Sequence, residues 1–256
     1  MKLENKVAVV TGGAQGLGKA YVMGFSNEGA KVVIADIDED AANATAKDVS
    51  KQGGGALAIR TDVSVQHETE EMARKTVERF GRIDILVNNA AILDRVPIKQ
   101  APFFELEPSE WDRTWNVNVK GPFLCCRAVF PYMKKQGGGK IINISSTHFY
   151  RGMTENRHLV HYVSQKGAII GFTRALAREL GEYNINVNCI APGAIVSEDS
   201  PNPSALASRK KAAERRALKR VLYPNDLVGT AVFLASSMSD SITGVTIVVD
   251  GGDIMV

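Results

Sequence analysis

The sequence predicts an α/β protein, a single doubly wound parallel sheet with helices on both faces. Two observations carry that expectation. Short apolar runs recur along the whole chain, centred near residues 8, 33, 58, 86, 142, 188 and 247, and helical stretches separate them. Strands that alternate with helices build βαβ units, whose crossovers cover both faces of a parallel sheet. The second observation is size: 256 residues with 45% apolar content can fill the core of one large open sheet. No fixed-period repeat or linker-like tract divides the chain, so residues 1–256 are expected to form one domain. The glycine-rich stretches 52–55 and 136–139 read as turns that precede strands.

Taken in order, the first strand is Val7-Ala8-Val9-Val10, and it runs into Thr11-Gly12-Gly13-Ala14-Gln15-Gly16-Leu17-Gly18. Glycines there let the chain turn sharply and let a pyrophosphate approach the amides of a following helix, whose N-terminal dipole favours anions. A glycine-rich turn without a ligand is the competing reading of this loop taken alone. The second strand, residues 31–35, ends in Asp36. A carboxylate roughly twenty residues past the glycines can accept hydrogen bonds from an adenosine ribose and would repel a 2′-phosphate, which favours NAD over NADP.

Further chemistry lies in the second half. Ser146 follows an apolar strand, and Tyr162 and Lys166 stand four residues apart, on one face of a helix. A free phenol, with a pKa of about 10, accepts protons poorly at neutral pH, and a neighbouring ammonium favours its phenolate. The spacing therefore suits a tyrosine acting as a base. Tyr-x-x-x-Lys alone is a common pattern, and its weight here comes from the glycine loop upstream.

Together these residues resemble the short-chain dehydrogenase/reductase family, over nearly the whole chain. TGGAQGLG is similar to the family's TGxxxGxG, and Tyr162-Val163-Ser164-Gln165-Lys166 to its YxxxK. The resemblance implies a Rossmann-type seven-stranded sheet in the order 3-2-1-4-5-6-7, with a cofactor half over about residues 1–140 and a catalytic and substrate half over about residues 141–256. It implies that Gly12, Gln15, Gly16, Leu17 and Gly18 hold the dinucleotide and that Asp62 and Val63 contact its adenine. Asn89, in Asn88-Asn89-Ala90-Ala91, is implied as a further cofactor contact; Ala91 stands where the family usually has glycine. Ile195 and Ser197, in Pro192-Gly193-Ala194-Ile195-Val196-Ser197, match the family's PGxxxT, which contacts the carboxamide, with serine in place of threonine.

For the family's fourth catalytic position, the distances to Gly121 and Phe123 select Asn118, with Asn116 as the alternative. Of the adjacent serines, Ser146 matches the catalytic one and Ser145 is the alternative. The resemblance thus implies an NAD-dependent alcohol dehydrogenase or carbonyl reductase, with hydride passing between nicotinamide and a small secondary alcohol or ketone. Tyr162 would exchange the hydroxyl proton and Ser146 would hydrogen-bond the substrate oxygen. Lys166 would tune Tyr162 and hold the nicotinamide ribose, while Asn118 supports a water-mediated proton path. The Ser-Thr-His-Phe-Tyr segment at 146–150 suggests an aromatic or cyclic substrate. Two other readings stay open. One is a 3-oxoacyl reductase, which Asp36 weakens because biosynthetic reductases generally use NADPH; the other is a dinucleotide-binding sensor or scaffold, which needs no phenol base.

Ser146 and Tyr162 stand further apart than the family's common spacing, so residues 147–161 are expected as an inserted loop that forms one wall of the substrate pocket. Phe149 is its expected substrate contact, and His158 is either a contact or a loop tip. Residues 197–222 are expected as a lid that starts in a flexible turn near residues 200–204. The basic cluster Arg209, Lys210, Lys211, Arg215, Arg216, Lys219 and Arg220 alternates with alanines and Glu214, and reads as a solvated helix face. With a net charge of only +3, nucleic acid is not an expected partner.

Long helices are expected over about residues 109–135 and 163–183. The second carries Ala168, Ile169, Ile170, Phe172, Ala175 and Leu176, more apolar surface than one core-facing stripe needs, and with the family's habit of pairing these helices this predicts a homotetramer. The first strand starts almost at Met1, which leaves no room for a removable targeting segment, and no apolar run is long enough to span a bilayer. Three cysteines, two of them adjacent as Cys125 and Cys126, suit packing in a reducing cytoplasm. Scattered histidines and the lack of clustered Cys/His spacing argue against a metal site.

Overall fold

Seven parallel strands form one sheet: β1 Val7–Thr11, β2 Lys31–Asp36, β3 Ala56–Arg60, β4 Ile85–Asn88, β5 Gly139–Ile144, β6 Ile185–Pro192 and β7 Thr246–Val249. Their order is β3-β2-β1-β4-β5-β6-β7. All seven expected strand centres fall inside these spans. The computed structural model describes residues 1–93, 98–152, 158–196 and 203–256, except the side chains of residues 203–206 and 208.

The strands are continuously apolar because both faces of the sheet are covered. Successive residues of β1 point to opposite sides. Ala8 and Val10 enter a core with Tyr21, Val22 and Phe25 of α1 (Gly16–Asn27), Val49 of α2 (Glu39–Lys51) and Leu227 and Ala231 of α9 (Asn225–Ala235). Val9 enters the opposite core, with Met72 of α3 (Gln66–Phe80), Cys125 and Val129 of α5 (Gly121–Gln136) and Ala177 of α7 (Val160–Leu180). The strand order reverses beside β1, whose neighbours are β2 and β4. At such a reversal the crossovers diverge and leave a crevice at the carboxyl ends of the strands. Among the described residues, no helix is long and apolar enough to cross a membrane.

The expected helix over 109–135 is divided. It runs as α4 (Pro108–Trp115), a π-helical turn over Asn116–Lys120, and α5. Pro122 has no amide to donate to the Asn118 carbonyl, and Gly121 N donates five residues back, to Asn116 O. At the second expected helix, α7 begins at Val160 and a 3₁₀ turn, Gly181–Tyr183, follows it. Tyr162 therefore lies in the first turn of α7, where the helix dipole favours negative charge.

A buried polar ladder crosses from the sheet to α7. Asn88 and Asn143 are register partners on β4 and β5. Asn88 Nδ2 donates to Asn143 Oδ1 at 2.8 Å, and Asn143 Nδ2 donates to Thr173 Oγ1 at 2.9 Å. Replacing Asn143 with alanine would remove two buried hydrogen bonds and leave one Asn88 Nδ2 proton without its acceptor, so we expect a loss of about 2 kcal/mol of stability. Urea unfolding at fixed protein concentration measures it, and a change below about 0.5 kcal/mol, the scale of a surface substitution, would show that the ladder adds no stability.

Candidate active site

The glycine loop sits at the carboxyl end of β1. Gly12 adopts φ +61, a conformation open to residues without Cβ. A Cβ on Gly18 would lie 1.9 Å from Gly12 O, so the first turn of α1 can close on the loop only with glycine there. Asn89, just after β4, clamps the same loop: its Nδ2 donates to Thr11 O and Gly12 O, both at 3.0 Å, and its amide donates to Thr11 Oγ1 at 3.0 Å. Gln15 is the N-cap of α1 and offers no side-chain cap. Gly16 starts the helix, and Leu17 packs partly against the core beneath it.

Asp36 ends β2 beside this loop. Its Oδ2 accepts from Ala14 N at 3.0 Å and its Oδ1 from Asp38 N at 3.1 Å. A carboxylate has about four lone-pair sites, so two backbone bonds orient the group and leave acceptor capacity on both oxygens. Asp62, after β3, accepts from Ser64 N and Ser64 Oγ through Oδ1. Val63 is buried against Gly121 at the start of α5. Ile195 forms an isolated bridge with Leu222, and its carbonyl accepts from Arg209 Nε at 2.9 Å. Ser197 lies outside the described residues.

The catalytic candidates meet where β5 ends against α7. Ser145 Oγ donates to Lys166 O at 2.7 Å, so this serine ties strand to helix. Ser146 Oγ instead lies 3.0 Å from His148 Nδ1 and accepts from His148 N at 3.2 Å. The His148 ring stands edge-on to Tyr162, with centroids 5.8 Å apart. Tyr162 packs among Ile92, Ile98 and Leu159. Lys166 Nζ is 5.5 Å from the Tyr162 ring centroid and donates to Ile144 O at 2.8 Å. Burial pushes the Lys166 ammonium down to about 8, which leaves it mainly charged at neutral pH.

Asn118 projects inward from the π-helical turn, whereas Asn116 is exposed. Its Oδ1 accepts from Ile92 N at 2.7 Å, and its Nδ2 donates to Ile92 O and to Gln165 Oε1, the latter at 2.8 Å. Gln165 Nε2 continues to Thr114 Oγ1 at 2.7 Å. Sequence reasoning missed Gln165, although it sits inside the Tyr-x-x-x-Lys motif. It also missed His148 as a partner of the serine, two positions away. Thr11 went unnoticed as the acceptor that anchors Asn89.

Part of the segment 147–161, expected as a wall of the substrate pocket, lies among the described residues. His148–Arg151 form a short helix, α6, and Phe149 lies over Gly167 of α7. Leu159 and His161 are fully buried, and burial holds the His161 imidazole below its ordinary pKa. His158 is exposed, and Met153 lies outside the described residues. The basic cluster is only partly a solvated face. Arg216, just after α8 (Pro203–Arg215), is fully buried and donates to Arg220 O and Ala194 O, thereby holding the Pro192-Gly193-Ala194 segment. The turn expected near residues 200–204 falls partly outside the described residues, and Pro203 and Ser204 already belong to α8.

A family model described as enoyl-(acyl carrier protein) reductase matches residues 12–253. A (2S)-[(R)-hydroxy(phenyl)methyl]succinyl-CoA dehydrogenase subunit of Thauera aromatica is 37% identical, with 98% of each chain covered. Galactitol 2-dehydrogenase of Agrobacterium fabrum is 39% identical over 100% of both chains. Among solved structures, a 3-ketoacyl-(acyl-carrier-protein) reductase from Brucella melitensis complexed with NADH superposes with a TM-score of 0.88 at 34% identity, covering 99% of this chain and 100% of that one. The chain belongs to the short-chain dehydrogenase/reductase family, oxidoreductases that bind a nicotinamide dinucleotide. The close Gly12–Gly18 approach, at a helix N-terminus where the sheet order reverses, fits that cofactor's pyrophosphate.

Gly18→Ala should weaken NADH binding by about tenfold or more, equivalent to about 1.4 kcal/mol. Nicotinamide fluorescence measures the affinity. An unchanged value would exclude this loop as the dinucleotide cradle.

Proposed function

We propose that this protein is an NAD-dependent alcohol dehydrogenase or carbonyl reductase acting on a small secondary alcohol/ketone pair, aromatic or cyclic. The observation that carries the reading is Tyr162, buried in the first turn of α7 with the Lys166 ammonium 5.5 Å from its ring centroid. A helix N-terminus and a cation both favour the phenolate, so the phenol can take the alcohol proton in oxidation and return it in reduction. Ser146 Oγ holds the substrate oxygen. Asn118, fixed by Ile92 and Gln165, supports the water path that carries the proton onward from Lys166.

When bound, the nicotinamide supplies the hydride acceptor or donor. Gly12, Gln15, Gly16, Leu17 and Gly18 would hold its pyrophosphate end, Asp62 and Val63 its adenine, and Asn89, Tyr162, Lys166, Ile195 and Ser197 its nicotinamide end. Asp36 supports NAD over NADP, because its remaining acceptor sites suit two ribose hydroxyls and its charge repels a phosphate.

A second reading is 3-oxoacyl reduction. The Brucella reductase is complexed with NADH, so the Asp36 carboxylate is a weaker argument against acyl substrates than the sequence alone suggests. We also read the chain as one domain, with a lid near residues 197–222, in a cytoplasmic homotetramer. Three buried free cysteines support a reducing compartment. Exposed Phe123 on α5 and Gly171 and Ala175 on α7 support helix pairing between copies.

Two experiments test this reading. A screen of aromatic, cyclic, sugar and hydroxyacyl alcohols with NAD or NADP, followed by NADH absorbance, supplies the substrate. Tyr162→Phe should then lower kcat by about 10² or more while NAD affinity survives, whereas Lys166→Ala should lower both turnover and NAD affinity. A Tyr162→Phe variant that keeps more than about a tenth of wild-type kcat would remove Tyr162 as the base. In the second experiment, Asp36→Ala should erode the NAD preference measured by kcat/KM. Equal use of NAD and NADP by the unmodified protein would sink the assignment.

A further inference from the structure

Beside the serine lies a group that the proposed mechanism leaves without a role. The chain turns immediately after β5 into α6, and that turn brings His148 back onto Ser146. Two contacts result: His148 N donates to Ser146 Oγ at 3.2 Å, and Nδ1 lies 3.0 Å from the same oxygen. The imidazole also stands edge-on to Tyr162. A hydroxyl has one proton to donate and two lone pairs with which to accept. If Nδ1 is bare, it captures the serine proton, and Ser146 can only accept from the substrate. If Nδ1 carries a proton, it fills the second lone pair, and the serine proton is left for the substrate oxygen. The two arrangements have opposite polarity, and only the second lets Ser146 donate to a carbonyl, which has no proton of its own.

We infer that His148 is a positioning residue whose Nδ1–H donates to Ser146 Oγ and so sets the serine hydroxyl as a donor to the substrate oxygen. This rests on the proposed role of Ser146, and its test has one part that needs no turnover. The chain has four histidines, so ¹⁵N-histidine labelling gives a simple spectrum in which His148→Asn identifies the His148 signals. At pH 7, Nδ1 should be protonated, and its signal should shift in Ser146→Ala. A bare Nδ1 overturns the inference whatever the protein turns over.

With a substrate from the screen, His148→Phe should lower kcat about tenfold or more with KM changed less than about threefold, the pattern of a lost transition-state interaction. Asparagine can present an N–H near the Nδ1 position, so His148→Asn should recover kcat to within about threefold of wild type. In a Ser146→Ala background, His148→Phe should cause no further fall. Equal falls in the two backgrounds, or failure of asparagine to rescue, would assign His148 a merely structural part and overturn the inference. Absence of any turnover by the unmodified protein would count against the dehydrogenase reading, and the ¹⁵N result would still decide the histidine–serine pairing.

Discussion

The geometry of the proposed catalytic end depends on a buried ammonium. Lys166 Nζ donates to Ile144 O, while Ser145 Oγ donates to Lys166 O. Two bonds thus lock the last residues of β5 to the first turns of α7, and the lock sets where Ser146 and Tyr162 stand relative to each other. Burial disfavours the charge that makes the lock, and the amine's pKa falls to about 8 as a result. A neutral residue of similar shape would avoid that penalty. It would also leave a nearby phenolate without a counter-charge. Deeper in the same junction, the Asn88–Asn143–Thr173 ladder joins two strands to α7 through side chains that water does not reach.

The cofactor end uses the same device with different atoms. Asn89, just after β4, binds Thr11 at the end of β1 and Gly12 of the glycine loop, and two backbone amides orient Asp36. The Asn89 bonds and the Ala14–Asp36 bond join the carboxyl ends of neighbouring strands, where the reversal of strand order opens the crevice. Polar groups committed to one another in this way hold the loop in shape before a ligand arrives, and such preorganisation lowers the entropic cost of binding.

Between the two ends, the π-helical turn carries Asn118 inward. Its carboxamide satisfies both backbone groups of Ile92 and meets Gln165, one residue before Lys166. The irregular turn is thereby coupled to α7. On the far side, Arg216 performs a comparable service for the segment after β6 by donating to Ala194 O. Burial lowers its pKa while Asp253 and Asp250 oppose the shift, so nearby carboxylates offset part of the desolvation.

The strand centres, the glycine loop, Asp36 and the Tyr-x-x-x-Lys pair were legible in the sequence because each is a local property: periodicity, a turn that tolerates only glycine, or two residues one helical turn apart. Less could be read where residues distant in sequence compete for the same partner. Ser145 and Ser146 differ only in what faces them, the Lys166 carbonyl or His148. Asn116 and Asn118 are separated by the wide turn that Pro122 imposes and Ile92 stabilises. Arg216 reads as one more cation in a basic run until the fold lays Ala194 O against it. Local patterns therefore determined the strands and the order of the motifs, and the family that those motifs resemble gave the class of chemistry. The tertiary structure decided which hydroxyl, which amide and which guanidinium turn inward, because burial and the choice of hydrogen-bond partner depend on packing between segments that local pattern does not relate.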